Sequence, residues 1–461
     1  MKLVAGVDSS TQSVKIVIRD AETGALIREG RASHPDGSEV DPAHWWSALQ
    51  SAIAEAGGLS DVEAISIGGQ QHGMVALDAA GEVIRPALLW NDTRSAKEAA
   101  DINNEVPTIA VQTGSALVAS FTASKVRWLA DHEKENAARV AAVCLPHDWL
   151  SWKLSGSSEI TDIFTDRSDA SGTGYFNPVT SEYIPDLFAT IIRSNQKVYL
   201  PRIVSSKEFG ATTASGLKIG AGAGDNAGAG FGIQAQEGDV IVSLGTSGTA
   251  FAISRSSTHD STGTIAGFAS VTGDFLPLVC TLNAARILDA ATRILGVTHD
   301  ELGELALKSP AGARGLTLLP YFEGERTPNR PDATGVLSGI TLANSNREDI
   351  ARAYIEGMLS GLADAVSALE EAGVNIRRVF LVGGAAKNPA VSQIASALFG
   401  REVLVPPAGE YVANGAARQA AWALIGGAQP PQWDLGNVAS VKATPTPEVL
   451  VAYRKLRDLT A

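Results

Sequence analysis

One carboxylate and one carboxamide, Asp225 and Asn226, stand in GAGAGDNAGAGFG (220–232), where almost every other side chain is a hydrogen or a methyl group. Two readings are open. Gly and Asp-Asn pairs build turns, and a ligand that needs backbone room beside a fixed carboxylate calls for the same lack of bulk. A second constellation is DSSTQSVK (8–15): an acid, four hydroxyl or amide residues, a lysine. Phosphates are held by backbone N–H and hydroxyl donors in tight turns with a cation nearby. A divalent metal riding on those phosphates wants a carboxylate within water-bridging reach, which Asp8 supplies. LGTSGT (244–249) is the same device again.

Three weaker signals join these. VGGAAKNP (382–389) follows an apolar strand and opens a helix at Asn388-Pro389. Its glycines let a flat ligand lie against the backbone, and a helix N-terminus favours anionic or acceptor groups. It lacks the GxGxxG spacing of a dinucleotide fold. GGQQHGM (68–74) puts Gln71 and His72 at a strand end as donors for a polyol, and LLWNDTR (88–94) offers Trp90 as a wall. Each segment by itself also fits an ordinary polar turn. The histidines form no metal-binding pairs, and neither a Ser-His-Asp order nor a GxSxG elbow is present, so hydrolase chemistry is not indicated.

Short apolar runs position these motifs. LVAGVD, VKIVIRD and ALIREGRASH predict a three-strand meander. DPAHWWSALQSAIAEAGG predicts a helix capped by Asp41, with Pro42 in its first turn and Gly57 and Gly58 at its end. The strand VEAISIGG then runs into GQQHG. The second half repeats this order: VIVSLGTSGTAFAIS as strand, turn and strand, a helix over 350–373, strand VFLVGG, helix PAVSQIASALF, strand EVLVP and an Ala-rich helix from about 410 to 425. These are degenerate copies of one α/β unit, joined near 228–240. PEVLVAYRKLRDL closes the chain as an amphipathic helix.

Bulk properties bound the rest. At 461 residues the chain exceeds one compact core. The net charge of −13, without a basic block, argues against nucleic acid or an anionic membrane surface. Cys144 and Cys280 lie far apart, which suggests no disulfide framework and fits a reducing cytoplasm. MKLVAGVDSS is too short in apolar residues for a signal peptide, and no run approaches the length of a membrane span.

Taken together the motifs resemble the FGGY carbohydrate kinases. GQQHG, LLWND and GDNAGAG are most similar to the xylulokinases of that family, as is FEGERTP (322–328). SFTASKVRWLADH (120–132), with Lys125 and Trp128, resembles one family signature; GVLSGITLANSNREDIARAYIE (335–356) resembles the other, with Tyr354 where a smaller or aliphatic residue is usual. The likeness runs from residue 3 to about 425. It implies an α/β, actin-like ATPase fold: two ribonuclease H-like domains with an interdomain cleft, the sugar-binding one over 1–232, the nucleotide-binding one over 233–440, and a closing helix over 441–461. It implies ATP and Mg2+ as cofactors and phosphorylation of a pentulose, D-xylulose foremost, with another ketose or polyol such as ribulose or glycerol as the near alternative. An actin-like ATPase with no sugar substrate is the alternative from another class. By this likeness Asp225 is the general base, and Gln71, His72, Asn226 and Trp90 line the sugar. Asp8 belongs with the metal, Thr11, Lys15, Gly245 and Thr246 face the ATP phosphates, and Gly383, Gly384 and Asn388 lie toward the nucleoside. Ser10 stands where many members carry Gly, although others keep an STQ turn. The expected partners are a small sugar and ATP, without nucleic acid or membrane; a homodimer is a possible assembly.

Overall fold

The computed structural model describes residues 1–460. It divides into two compact units: Met1–Ala235 with Arg255–Leu276 and Glu410–Asp434, and Gln236–Ser254 with Pro277–Gly409 and Leu435–Ala461.

In the first unit the strands are β1 (Leu3–Ser9), β2 (Ser13–Asp20), β3 (Leu26–Ser33), β4 (Val62–Gly69), β5 (Phe209–Thr212), β6 (Lys218–Gly220) and β7 (Ala223–Gly224). Their order is β5-β6-β4-β1-β2-β3, with β7 also paired to β4. β1, β2 and β3 form the expected antiparallel meander, and β4 runs parallel to β1, as β6 does to β4. Every residue of β1 is buried, as a central strand covered on both faces requires. Leu3, Ala5 and Val7 point to one face, where they join Val14, Ile16 and Ile18 and the helix Pro42–Glu55 through Trp45, Leu49 and Ala52. That helix starts as its sequence predicts: the Asp41 side chain accepts from the Ala43 amide at 2.9 Å. Val4, Val17 and Ala64 face the other way, against Ala413, Ala417, Ala420 and Ala421 of the helix Tyr411–Ile425. The approach there is very close, because a Cβ on Gly6 would lie 2.0 Å from the Ala413 carbonyl oxygen. The Ala-rich helix, which the order of elements suggested for the second copy, thus belongs to the first unit.

The second unit repeats the plan. Its strands are β8 (Asp239–Leu244), β9 (Gly248–Ala252), β10 (Phe275–Thr281), β11 (Arg378–Val382), β12 (Val403–Val405) and β13 (Ala439–Val441). They follow the order β10-β9-β8-β11-β12-β13. β8, β9 and β10 are an antiparallel meander, and β11 and β12 continue in parallel from β8. Both units therefore share a ribonuclease H-like strand order, and the fold is the actin-like duplication. The helix Arg347–Glu371 is capped by Asn346, whose side chain accepts from the Asp349 amide at 2.9 Å. Tyr354, the departure from the signature, is buried there and meets Phe322 edge-on at 6.1 Å. Among the described residues no helix is long and apolar enough to cross a membrane.

Candidate active site

Strand pairing in the first unit gathers motifs far apart in sequence. The parallel register sets Asp8 opposite Gly68 and Ser9 opposite Gly69, so DSSTQ and GGQQHG leave the sheet side by side. β7 pairs Ala223 and Gly224 with the same Gly68 and Gly69, which delivers Asp225 to that edge. The carboxyl ends of parallel strands are where α/β sheets hold their ligands.

Asp225 is the first residue of the helix Asp225–Gly232. Its Oδ1 accepts from the Asn226 amide at 2.7 Å and from Asn226 Nδ2 at 2.9 Å. Burial nevertheless pushes its carboxyl up to about 6, against those two bonds. A carboxylate tuned toward neutrality holds a proton briefly and releases it, as a general base must.

Asp8 is buried. Its Oδ1 has no partner, and its Oδ2 lies 3.8 Å from Lys15 Nζ. Burial raises it to about 7; Lys15 opposes this, while the charges of Asp225 and Glu410 add to it. Lys15 is also held at 2.6 Å by Glu410, a residue that sequence reasoning missed. Glu410 has no local signal, since its role depends on where the helix Tyr411–Ile425 docks. Within the turn, the Ser10 amide donates to the Ser13 carbonyl at 3.0 Å and Ser10 Oγ donates to the same oxygen at 2.9 Å, so serine at this position adds a second bond across the turn. Trp90 Nε1 donates to Thr11 Oγ1 at 3.0 Å, which ties the wall of one motif to the hydroxyl of the other.

Gln71 Nε2 donates to the Ser168 carbonyl at 3.3 Å. His72 adopts φ 71°, unusual for a residue with a Cβ and a mark of strain. Its Nδ1 and the Gly172 oxygen are 2.6 Å apart, so Nδ1 is the donor nitrogen. The ring packs against Phe121 at 4.8 Å and Phe268 at 5.6 Å. Gln70, which the sequence did not single out, is buried beside them with both amide atoms unpartnered.

The glycines around Asp225 have structural causes as well. A Cβ on Gly232 would lie 2.1 Å from the Tyr411 oxygen, and one on Gly415 would lie 1.9 Å from the Gly228 oxygen. The small residues of GAGAGDNAGAGFG thus let two helices touch backbone to backbone, a cause that neither the turn reading nor the ligand-room reading contained.

In the second unit Gly245 follows β8 and accepts from the Ala285 amide at 2.9 Å, with Thr246 exposed beside it. Gly383 has φ 99°, and a Cβ there would meet the Leu244 oxygen at 2.4 Å, so only glycine lets this loop cross the end of β8. Gly383 and Gly384 are exposed. Asn388 caps the helix Pro389–Phe399 by accepting from the Ala390 amide at 2.9 Å and donates to the His299 carbonyl at 2.7 Å. Both ends of that amide are therefore engaged within the protein.

Residues 3–232 match the N-terminal domain of the FGGY family of carbohydrate kinases, and residues 240–424 match its C-terminal domain. The chain belongs to this family. It is 41% identical over 441 residues to a xylulose kinase of Streptomyces coelicolor, covering 92% of this chain and 88% of that one. A xylulose kinase of Escherichia coli is 32% identical over 90% of this chain and 89% of its own. Among solved structures, the xylulose kinase of Bifidobacterium adolescentis superposes with a TM-score of 0.92 at 45% identity, covering 99% of both chains.

Proposed function

We propose that this FGGY kinase transfers the γ-phosphoryl group of ATP to a pentulose, D-xylulose before other ketoses, giving D-xylulose 5-phosphate. The observation that carries this reading is Asp225: a carboxylate raised to about 6 at the edge where Asp8, Gln71 and His72 also emerge. Asp225 takes the proton of the terminal sugar hydroxyl as that oxygen attacks the γ-phosphorus, the O–P bond forms, and ADP leaves. Because phosphoryl transfer passes through a loose transition state, the protein's work is to position groups and stabilise charge. Gln71, His72, Asn226 and Trp90 would orient the sugar. Thr11, Lys15, Gly245 and Thr246 would meet the phosphates; Gly383, Gly384 and Asn388 would meet the nucleoside.

The buried, unpartnered Oδ1 of Asp8 suits a hard divalent cation such as Mg2+, directly or through water. When bound, the cation neutralises phosphate charge. Asp8 would hold it, and Lys15, pinned by Glu410, would keep the carboxylate turned toward it. The likeness in name and sequence of the xylulose kinases above supports the choice of sugar.

The test is ADP release, measured by a coupled assay, across a panel of ketoses and polyols. D-xylulose should exceed glycerol in kcat/KM by about 10² or more, because a hydrogen-bonding site strongly rejects an analogue that leaves its polar groups unpaired. Glycerol as the best substrate would overturn the choice of sugar, and turnover independent of any sugar would overturn the kinase reading.

A further inference from the structure

Behind the site lies a cluster of ionisable groups to which the proposed reaction gives no role. His147 and the carboxylates of Asp148, Asp166 and Asp169 are each at most 1% exposed. His147 Nε2 lies 3.1 Å from Asp169 Oδ2, 3.4 Å from Asp148 Oδ1 and 3.5 Å from Asp166 Oδ1. Asp166 caps a short helix, Arg167–Ala170, by accepting from the Ser168 and Asp169 amides at 2.7 and 3.0 Å. Asp148 accepts from the Leu145 amide at 2.8 Å. Asp169 has no hydrogen-bond partner on either oxygen, so His147 is its nearest compensation. Burial works against charge on the imidazole, but Asp148, Asp169 and Asp166 outweigh it and push His147 up to about 10, while burial pushes the Asp169 carboxyl well above its ordinary value against the pull of His147.

The cluster touches the site through two kinds of contact. The first is packing. A Cβ on Gly222 would lie 2.7 Å from the His147 ring, and one on Gly69 would lie 3.0 Å from its Cβ. His147 is therefore packed between Gly69, at the strand end that leads to Gln71, and Gly222, in the glycine-rich run that leads to Asp225. The second is hydrogen bonding by the segment 166–172. The Ser168 carbonyl accepts from Gln71 Nε2, Ser168 Oγ accepts from the Gly224 amide at 3.1 Å, and the Gly172 carbonyl accepts from His72 Nδ1. One short segment thus fixes two of the sugar-lining side chains and the residue before the base. Its acidic end faces the buried His147 ring, whose Nε2 lies 3.1 Å from Asp169 and 3.5 Å from Asp166.

We propose that His147 is a positioning residue: paired with Asp169, its imidazolium anchors the segment 166–172 and so sets Gln71, His72 and Asp225 in place for the sugar. This rests on the assignment of Asp225, Gln71 and His72 made above. Removing one partner of a buried pair leaves the other uncompensated, whereas replacing both with neutral groups of similar shape comes near to neutrality.

The experiment compares His147→Gln and Asp169→Asn with the double variant His147→Gln/Asp169→Asn, reading sugar kcat/KM, ATP KM and thermal midpoint. His147→Gln should lower sugar kcat/KM by about 10²-fold, the effect of misplacing reacting groups by about 1 Å. Its ATP KM should stay at the wild-type value. The double variant should regain about tenfold or more of the loss and a higher midpoint than His147→Gln, the sign of a coupled pair. Should His147→Gln fail to fold, soluble yield and midpoint of the double variant give the same answer: recovery supports the pairing and its absence refutes it. A His147→Gln enzyme within about threefold of wild type, or losses that simply add, would overturn the proposal. So would a stoichiometric transition metal in the purified protein whose chelation lowers the midpoint, since the buried cation would then be a metal. The midpoint cycle needs no substrate, so it stands even if the sugar assignment fails.

Discussion

Replacing Asp225 with Asn should make the ligand-free protein more stable and nearly inactive. Asn keeps the size of the side chain and an Oδ1 that can accept from the Asn226 amide, now at 2.7 Å. What it removes is a charge that burial disfavours. The carboxyl rises from 3.8 to about 6 on folding. That shift of roughly two units, at about 1.4 kcal/mol each, makes the ionised side chain cost up to about 3 kcal/mol at pH 8. The sign follows from the direction. A carboxyl raised on folding favours the fold fully below its unfolded value, and that benefit is lost as pH rises through the folded value. Asn should therefore stabilise by up to about 3 kcal/mol at pH 8 and by about half as much at pH 5. Weaker bonds to a neutral acceptor reduce the gain by about 1 kcal/mol.

Urea denaturation of the ligand-free wild type and variant at pH 8 and pH 5 measures the stability arm. Steady-state turnover with sugar and ATP measures the other, where kcat should fall by about 10²–10⁴, the usual worth of general base catalysis. A variant less stable than wild type at pH 8, or a gain independent of pH, would show that the fold does not strain this carboxylate. A variant keeping more than about a tenth of the wild-type kcat would remove Asp225 from the role of base.

Under saturating Mg2+ and ATP, sugar kcat/KM of the wild type should fall about tenfold per pH unit below about 6, since the base must be unprotonated; a flat profile down to pH 5 would refute its tuning. Asp8, raised to about 7 by burial, should be held ionised by the metal, so magnesium should move an upper inflection and leave the lower one in place. Asp8→Asn should need about 10–100-fold more Mg2+ for half-maximal rate at saturating sugar, as loss of a residue in the metal's shells typically does, and an unchanged dependence would end the metal assignment. His72→Ala should narrow the preference for D-xylulose over glycerol more than it raises ATP KM, and an intact sugar ranking would refute its contact with sugar. Gly415→Ala, which sets a methyl 1.9 Å from the Gly228 oxygen, should destabilise the first unit by about 1–3 kcal/mol or more in the same urea assay, and a neutral result would refute the backbone-to-backbone packing.

Local signals were legible in this chain because each is written in a few adjacent residues. Asp41-Pro42 starts a helix and Gly57-Gly58 ends it, whatever packs around them. Alternating or continuous apolar runs likewise mark β1, β4, β8 and β11, and strand ends carry the motifs that the sheets then bring together. What sequence could not supply was the docking of distant pieces. The helix Tyr411–Ile425 follows the second copy in order yet packs on the first sheet, and nothing in its Ala-rich face names the sheet it covers. Glu410 travels with it and meets Lys15 across 395 residues, so the lysine reads from sequence as a bare phosphate contact when it is half of an ion pair. His147 hides for a related reason, because only the fold brings Asp166 and Asp169 to its ring.

The glycine-rich stretch shows how these two kinds of information interlock. Its lack of bulk points to crowding by something, and the sequence cannot say by what. In the structure Gly222 yields to the His147 ring, Gly224 to the Gln71 side chain and Gly232 to the helix that carries Glu410. Each contact links Asp225 to a neighbour that would fix its position: the buried charge cluster, the Gln71 amide proposed to line the sugar, and the helix whose N-cap residue, Glu410, restrains Lys15 near Asp8. A carboxylate raised by burial gains basicity only while its surroundings hold it there, since a looser site would admit water and let it relax toward its ordinary value. On this argument the glycines are required less by the size of the reactants than by the rigidity that would keep Asp225 strong as a base. A bulkier residue at 222 or 232 should cost activity through that loss of position even where the substrates still fit.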